Sequence, residues 1–150
     1  MEWKVYLSGE IHTNWRDEIK EKAKELNLPI IFIEPVTDHE LSDDCGANIL
    51  GKEENKFWHD HKSAKLNSIK TRNAIKKSDI VIVRFGEKYK QWNAAFDAGY
   101  ASAFRKSIIV IHNEDHQHAL KEVDASAAAV ASNQTQAVRI LKYVLKGSLK

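Results

Sequence analysis

Asp79-Ile80-Val81-Ile82-Val83 is an unbroken apolar run of the kind a parallel sheet buries on both faces, and its reading decides the fold. It follows a stretch of helical spacing from about Asp60 to Lys77 and ends at Arg84-Phe85-Gly86. Further on, Trp92, Ala95, Phe96, Gly99, Tyr100 and Ala103 recur at helical spacing and predict a helix that buries this stripe, before Ser107 to Ile111 supplies another buried strand. Upstream, Trp3 to Leu7 reads as a strand ending in Ser8-Gly9. Thr13 or Asn14 then caps a helix with Trp15, Ile19, Ala23 and Leu26 on one face, stopped by Leu28-Pro29. Ile30 to Ile33 is a second buried strand, closed at Glu34-Pro35 because proline has no N–H to give a ladder. Val123 to Val130 is a weaker, alanine-rich strand, and Ala137, Ile140, Leu141, Val144 and Leu145 mark a last helix.

Strands alternating with helices of this length predict right-handed βαβ units in an α/β protein: a doubly wound, five-stranded parallel sheet of flavodoxin-like size. In such sheets ligands sit outside the carboxyl ends of the strands. One segment departs from the alternation. Val36 to about Phe57 is rich in Asp, Glu, Asn and Gly with little periodicity, and reads as a long loop and candidate lid.

The 150 residues form one domain, enough to bury a core without staples. With 43% hydrophobic and 29% charged residues the chain is globular, not disordered or collagen-like. Lysine and arginine number 23 against 21 acidic residues, so the net charge of +2 provides no field for a nucleic-acid polymer or an anionic membrane surface. Cys45 alone forms no internal disulfide, and Asn133-Gln134-Thr135 carries no weight as a sequon without a secretory feature. The charged start of the chain is neither a signal peptide nor a membrane span, so the expectation is a soluble, cytoplasmic protein.

The fold rule directs attention to four strand ends: Ser8-Gly9-Glu10, Pro35 to Gly46, Arg84-Phe85-Gly86 and His112 to Asp115. Gly9 lets a ligand approach the backbone, but the chain has no G-x-G-x-x-G and no P-loop, which excludes Rossmann dinucleotide and Walker NTPase readings. Asp97 lies on the predicted helix just before the small residues Ala98, Gly99 and Ala101, where it is either a solvated aspartate or a carboxylate beside a packed surface. His59-Asp60-His61, and His112 with His116 and His118, lack a complete metal-ligand spacing and read as surface histidines. Lys62, Lys65, Lys70, Arg72, Lys76 and Lys77 read as a solvated helix face.

Three stretches carry a resemblance to a known family: Tyr6-Leu7-Ser8-Gly9, Ala74-Ile75-Lys76-Lys77-Ser78-Asp79-Ile80-Val81-Ile82-Val83, and Asn93-Ala94-Ala95-Phe96-Asp97-Ala98-Gly99-Tyr100-Ala101. In order and spacing they resemble the nucleoside 2-deoxyribosyltransferases. More narrowly, Val5 to Arg16, Ser42-Asp43-Asp44-Cys45-Gly46, and Arg84 to Tyr100 resemble the YtoQ branch of that superfamily, over most of the chain.

The resemblance implies cleavage or transfer at the N-glycosidic bond of a nucleoside or nucleotide. Asp97 matches a family glutamate that attacks the anomeric carbon, a role a carboxylate suits because it must also leave again through an oxocarbenium-like transition state. Aspartate is one methylene shorter, about 1.5 Å of reach. Thr71 and Gln91 stand where transferases carry aspartates, so base specificity does not transfer. Tyr6 matches a tyrosine that orients the nucleophile, though a first-strand tyrosine equally reads as core.

Ser8, Gly9 and Asn93 are implied sugar contacts. Trp92 either stacks on a base or fits the helix's buried face, and Arg84, with Gly86 beside it, is an implied anion contact or a salt bridge to Asp79 or Glu87. By likeness to nucleotide N-hydrolases, Arg16 and the amides after Gly9 hold a phosphate, unless Arg16 is a surface residue. Asp43 and Asp44 offer a second carboxylate or else solvated turn chemistry. No metal or organic cofactor is expected, and the partners are a small-molecule nucleoside or nucleotide and further copies of the chain in a homodimer or larger homo-oligomer. A non-catalytic nucleoside-binding or sensing protein is the alternative, ahead of a purely structural one.

Overall fold

A computed structural model describes residues 1–149. Five strands, β1 (Trp3–Gly9), β2 (Ile30–Ile33), β3 (Ile80–Arg84), β4 (Ser107–Ile111) and β5 (Ala129–Ala131), form one sheet in the order β2-β1-β3-β4-β5. Every neighbouring pair is parallel, with Val5 opposite Ile80, Gly9 opposite Arg84, and Arg84 opposite Ile111. The helices are α1 (Trp15–Glu25), α2 (His39–Leu50), α3 (Lys56–Lys77), α4 (Trp92–Ala103), α5 (Lys121–Ser126) and α6 (Gln134–Lys146), with a short 3₁₀ turn at Glu114–His116. Among the described residues no helix is long and apolar enough to cross a membrane.

Strand alternation divides the core in two, because successive side chains leave a strand on opposite faces. Val5, Leu7, Ile80, Ile82, Ile109 and Ile111 pack under Trp15 and Ile19 of α1 and Ala137, Val138 and Leu141 of α6. Tyr6, Val81, Val83, Ile108 and Val110 pack under Ala74 and Ile75 of α3 and Ala94, Ala98 and Ala101 of α4.

The predicted stripe of α4 is not its buried face. The small residues Ala94, Ala98 and Ala101 face the sheet, while Trp92 is 75% exposed and Phe96 66% exposed. Alanine lets the helix lie close to the β-branched side chains of β3 and β4, and that close approach turns the larger aromatic residues outward.

The candidate lid is a helical hairpin. Asp38 accepts a hydrogen bond from the Leu41 amide (2.8 Å) and starts α2, and Asn55 accepts from the Phe57 amide (3.0 Å) and starts α3. Gly51, at φ +97°, ends α2. The polar residues read as loop formers are thus caps. Periodicity is weak because α2 packs chiefly on α3, through the buried Gly46, and needs no broad apolar stripe. At the other end of the chain, Val123 lies in α5, and β5 is Ala129–Ala131, sharing only Ala129 and Val130 with the strand predicted over Val123 to Val130. The capping expectation for α1 also changes: Asn14 holds the N-cap position without a side-chain bond, and Thr13 bonds Glu10 instead.

At the α2–α3 crossing the Gly46 amide donates to Ser63 Oγ (3.0 Å), and a Cβ on Gly46 would run into the Ser63 backbone. Gly46→Ala is expected to destabilise the fold by about 1–3 kcal/mol through overpacking, read as a lower urea midpoint; an unchanged midpoint contradicts the crossing.

Candidate active site

The strands deliver their carboxyl ends to one cleft of about 860 Å³, within the range of small-molecule sites. Its lining comes from the turn after β1, the start of α2, one side of α3, the loop before α4, and α4 itself. Tyr6, Gly9, Asp43, Trp92, Asn93 and Asp97 are all brought to it.

Asp97 sits one turn into α4, between the sheet-facing Ala94 and Ala98 and the exposed Phe96. That position points a half-buried carboxylate at the end of β1, where Ser8 Oγ donates to Asp97 Oδ2 at 2.6 Å. Burial pushes the Asp97 carboxyl above the usual aspartate range, and the Ser8 bond only partly offsets it. Tyr6, 1% exposed, is pushed up to about 12 by burial and then by the charge of Asp97, against a hydrogen bond with Thr71 and the charge of Arg16. The hydroxyl that holds Asp97 is therefore that of Ser8, whereas Tyr6 is a neutral phenol engaged with Thr71.

Gly9 has φ +128°, and a Cβ there would strike the Arg84 carbonyl on β3. No other residue fits, and the turn that follows depends on it. This turn is built around Glu10, which in the sequence is only the last residue of the strand-end segment Ser8-Gly9-Glu10. The Glu10 side chain is 2% exposed; it accepts from the amides of His12 (2.6 Å) and Thr13 (3.0 Å), from the Thr13 hydroxyl and from Arg84 Nη1 (2.6 Å). Burial pushes the Glu10 carboxyl up, but these donors together outweigh it and hold it below the usual glutamate range. Periodicity cannot reveal such a carboxylate; its place one residue beyond a strand end was the available signal.

Two arginines are thereby corrected. Arg84 is a partly buried ion-pair partner of Glu10, not a free anion contact, and neither Asp79 nor Glu87 pairs with it. Arg16 is not a surface residue, and its guanidinium is turned to backbone carbonyls. At 5% exposure it donates from Nε to the Leu7 carbonyl (3.1 Å), from Nη1 to Glu10 (2.7 Å) and from Nη2 to Gly9 (3.1 Å), closing the end of β1.

Gly86 is buried and gives its amide to Gln91 Oε1 (2.9 Å); with Arg84 it borders a separate recess of about 100 Å³ that Glu10 also lines. Gln91 Nε2 is buried without a partner. Asp43 lines the cleft paired with His39 (2.7 Å), while Asp44 lies outside the lining, paired with His59 (3.2 Å). His112 is a buried residue and not a surface one, bonded through Nε2 to Asp124 (2.8 Å) and through Nδ1 to the Asn113 carbonyl (2.6 Å). Among the described residues no three His, Cys, Asp or Glu side chains cluster as metal ligands. Of the basic face, Lys65, Lys70 and Arg72 line the cleft, and Arg72 lies 5.5 Å over the Tyr100 ring.

The two carboxylates predict opposite pH behaviour. Asp97 titrates higher in the folded chain than in the unfolded one, so its ionisation costs stability: the cost is absent below the ordinary aspartate range and complete once pH passes the folded value. Asp97→Asn should raise the melting temperature at neutral pH, and the gain should vanish in acid. Glu10 titrates lower when folded, so its contribution is present above the ordinary glutamate range and is lost as pH falls through the folded value. Glu10→Gln should cost about 1.5–3 kcal/mol at neutral pH and progressively less in acid. Thermal melts of both variants across pH check the two signs.

Comparison with known proteins places this architecture. The family model for nucleoside 2-deoxyribosyltransferase YtoQ matches residues 6–145. The chain is 46% identical over 146 residues to the uncharacterized protein YtoQ of Bacillus subtilis (strain 168), covering 97% of this chain and 99% of that protein. Three solved structures share the fold at low identity. A conserved protein from Enterococcus faecalis V583 aligns with a TM-score of 0.66 at 14% identity, over 97% of this chain and 100% of that one. The CMP N-glycosidase BcmB of Clostridium botulinum aligns at 0.54 and 13%, over 93% and 98%. A 2-deoxyribosyltransferase from Bacillus psychrosaccharolyticus aligns at 0.51 and 13%, over 90% of each chain. The five-stranded parallel sheet is thus that of the 2-deoxyribosyltransferase-like proteins, and the chain belongs to the nucleoside 2-deoxyribosyltransferase YtoQ family.

Proposed function

We propose that the chain cleaves or transfers at the N-glycosidic bond of a nucleoside-type substrate, with Asp97 as nucleophile. The observation that carries this reading is the Asp97 carboxylate itself, half-buried at the strand ends, held at 2.6 Å by Ser8 and facing a cleft of nucleoside size. Membership of the family, and the N-glycosidase and deoxyribosyltransferase among the structures of like fold, support the same class of chemistry.

An Asp97 oxygen attacks the anomeric carbon as the carbon–nitrogen bond breaks, and the base leaves with the electron pair and takes up a proton. The ester that results is opened when water or a second base attacks the same carbon, gives up a proton and restores the carboxylate. Partial desolvation raises the basicity of Asp97, which helps the attack, and the Ser8 hydroxyl keeps one of its oxygens in place. Trp92 and Asn93, exposed on the first turn of α4 and lining the cleft, are placed to meet the base and a sugar hydroxyl. A binding-only reading has one observation in its favour: Thr71 and Gln91 are neutral and already engaged, with Tyr6 and with Gly86, so neither offers the leaving base a ready acid.

The proposal includes self-association. Trp92 and Phe96 on α4 are 75% and 66% exposed, Phe104 just after α4 is 38% exposed, and Ile69 on α3 is 61% exposed. Light scattering should return a dimer or larger species, and Phe96→Asp should lower its mass; a wild-type monomer contradicts this part.

Chromatography of free base released from a panel of nucleosides and nucleoside monophosphates, with and without an acceptor base, tests the chemistry. Asp97→Asn should lose at least about a thousandfold in rate. Ser8→Ala should move the acid limb of kcat/KM to higher pH, because the Ser8 bond lowers the Asp97 carboxyl. Dependence on the acceptor base marks a transferase. Silence across the panel, with ligands still raising the melting temperature equally in wild type and Asp97→Ala, overturns catalysis and leaves binding alone.

A further inference from the structure

The turn from β1 into α1 gathers four donors on one point. The amides of His12 and Thr13 converge on Glu10 Oε2, and the Thr13 hydroxyl and Arg84 Nη1 converge on Glu10 Oε1. Two adjacent backbone amides, a hydroxyl and a guanidinium form a donor set suited to a phosphoryl group. Here the set is saturated by the chain's own carboxylate, which is almost wholly buried and borders both the main cleft and the small recess. The second cation at this end, the buried Arg16, donates to the carbonyls of Leu7, Gly9 and Glu10.

An anion entering the cleft at this end therefore meets the Glu10 carboxylate, with Asp97 also on the lining, while Arg84 Nη1 is bonded to Glu10 and the Arg16 guanidinium to backbone carbonyls. The lysines and arginine of the lining, Lys65, Lys70, Arg72 and Lys90, are exposed on α3 and the loop before α4, and the lining also carries Asp60 of α3 and Asp43 of α2. Exposed charges of mixed sign are screened by salt and hold a phosphate weakly.

We propose that Glu10 is a specificity-determining residue: its carboxylate fills an anion cradle in the turn after β1, so the cleft takes an unphosphorylated nucleoside in preference to the nucleoside monophosphate. This rests on the nucleoside reading of the site, and the test separates the two. Thermal stabilisation of the wild type is measured against matched nucleosides and their 5′-monophosphates, and that of Glu10→Ala and Glu10→Ser against inorganic phosphate. The nucleoside should act at concentrations at least about tenfold lower than its monophosphate, since like charges brought together are strongly disfavoured. Inorganic phosphate should stabilise the Glu10 variants saturably, and neither the wild type nor the Glu10→Ala/Arg84→Ala double variant. A wild type that favours the monophosphate overturns the proposal, as does a folded Glu10 variant indifferent to phosphate. If neither Glu10 variant folds, the wild-type comparison decides. A wild type stabilised by neither ligand class counts against the nucleoside reading, while the phosphate response of the variants still decides the cradle.

Discussion

One buried carboxylate holds the functional end of this molecule together. Glu10 follows β1, and its backbone amide reaches the Arg84 carbonyl on β3 (3.2 Å), while its own carbonyl accepts from Trp15 Nε1 (2.8 Å) and Arg16 Nη1 (2.7 Å) of α1. Its side chain gathers the turn amides and Arg84. A carboxylate buried against a partly buried guanidinium is seldom a net source of stability, because taking charges out of water costs several kcal/mol per fully buried ion. Here the cost is offset by the extra donors that complete the carboxylate, and the arrangement sets the path of the chain out of β1.

The placement of Ser8 follows from that constraint. With Gly9 pressed against the Arg84 carbonyl and Glu10 fixed beyond it, β1 is held in register with β3 up to the residue that holds Asp97. On the other side, the alanines of α4 seat the helix on the sheet, so Asp97 arrives from a rigid element and not from a loop. Two neighbouring carboxylates thus have opposite characters. Glu10, saturated with donors, stays ionised and inert, whereas Asp97, with one hydroxyl donor and partial burial, is the more basic and the more available.

Much of the sheet was legible in the sequence because β3 and β4 are continuous apolar runs, and parallel strands buried on both faces have no other way to read. Helix existence was legible wherever a helix needed an apolar stripe, as at Trp15, Ile19 and Ala23. It failed at α2, which packs through a glycine, and on α4 the aromatic residues, strongest in any hydrophobic pattern, face outward. The resemblance drew attention to Asp97 and Ser8, but the commitments of Arg16, Arg84 and Glu10 depend on contacts between residues up to 74 positions apart in the chain. No local pattern encodes such contacts.

The proposed role of Asp97 requires a covalent bond between its carboxylate and the anomeric carbon of the sugar. Acid-quenched protein, mixed with nucleosides that it cleaves, should show by mass spectrometry one added pentosyl group, and peptide mapping should place it on Asp97. An adduct on another residue, or base release with no adduct under conditions where the ester should accumulate, contradicts the account.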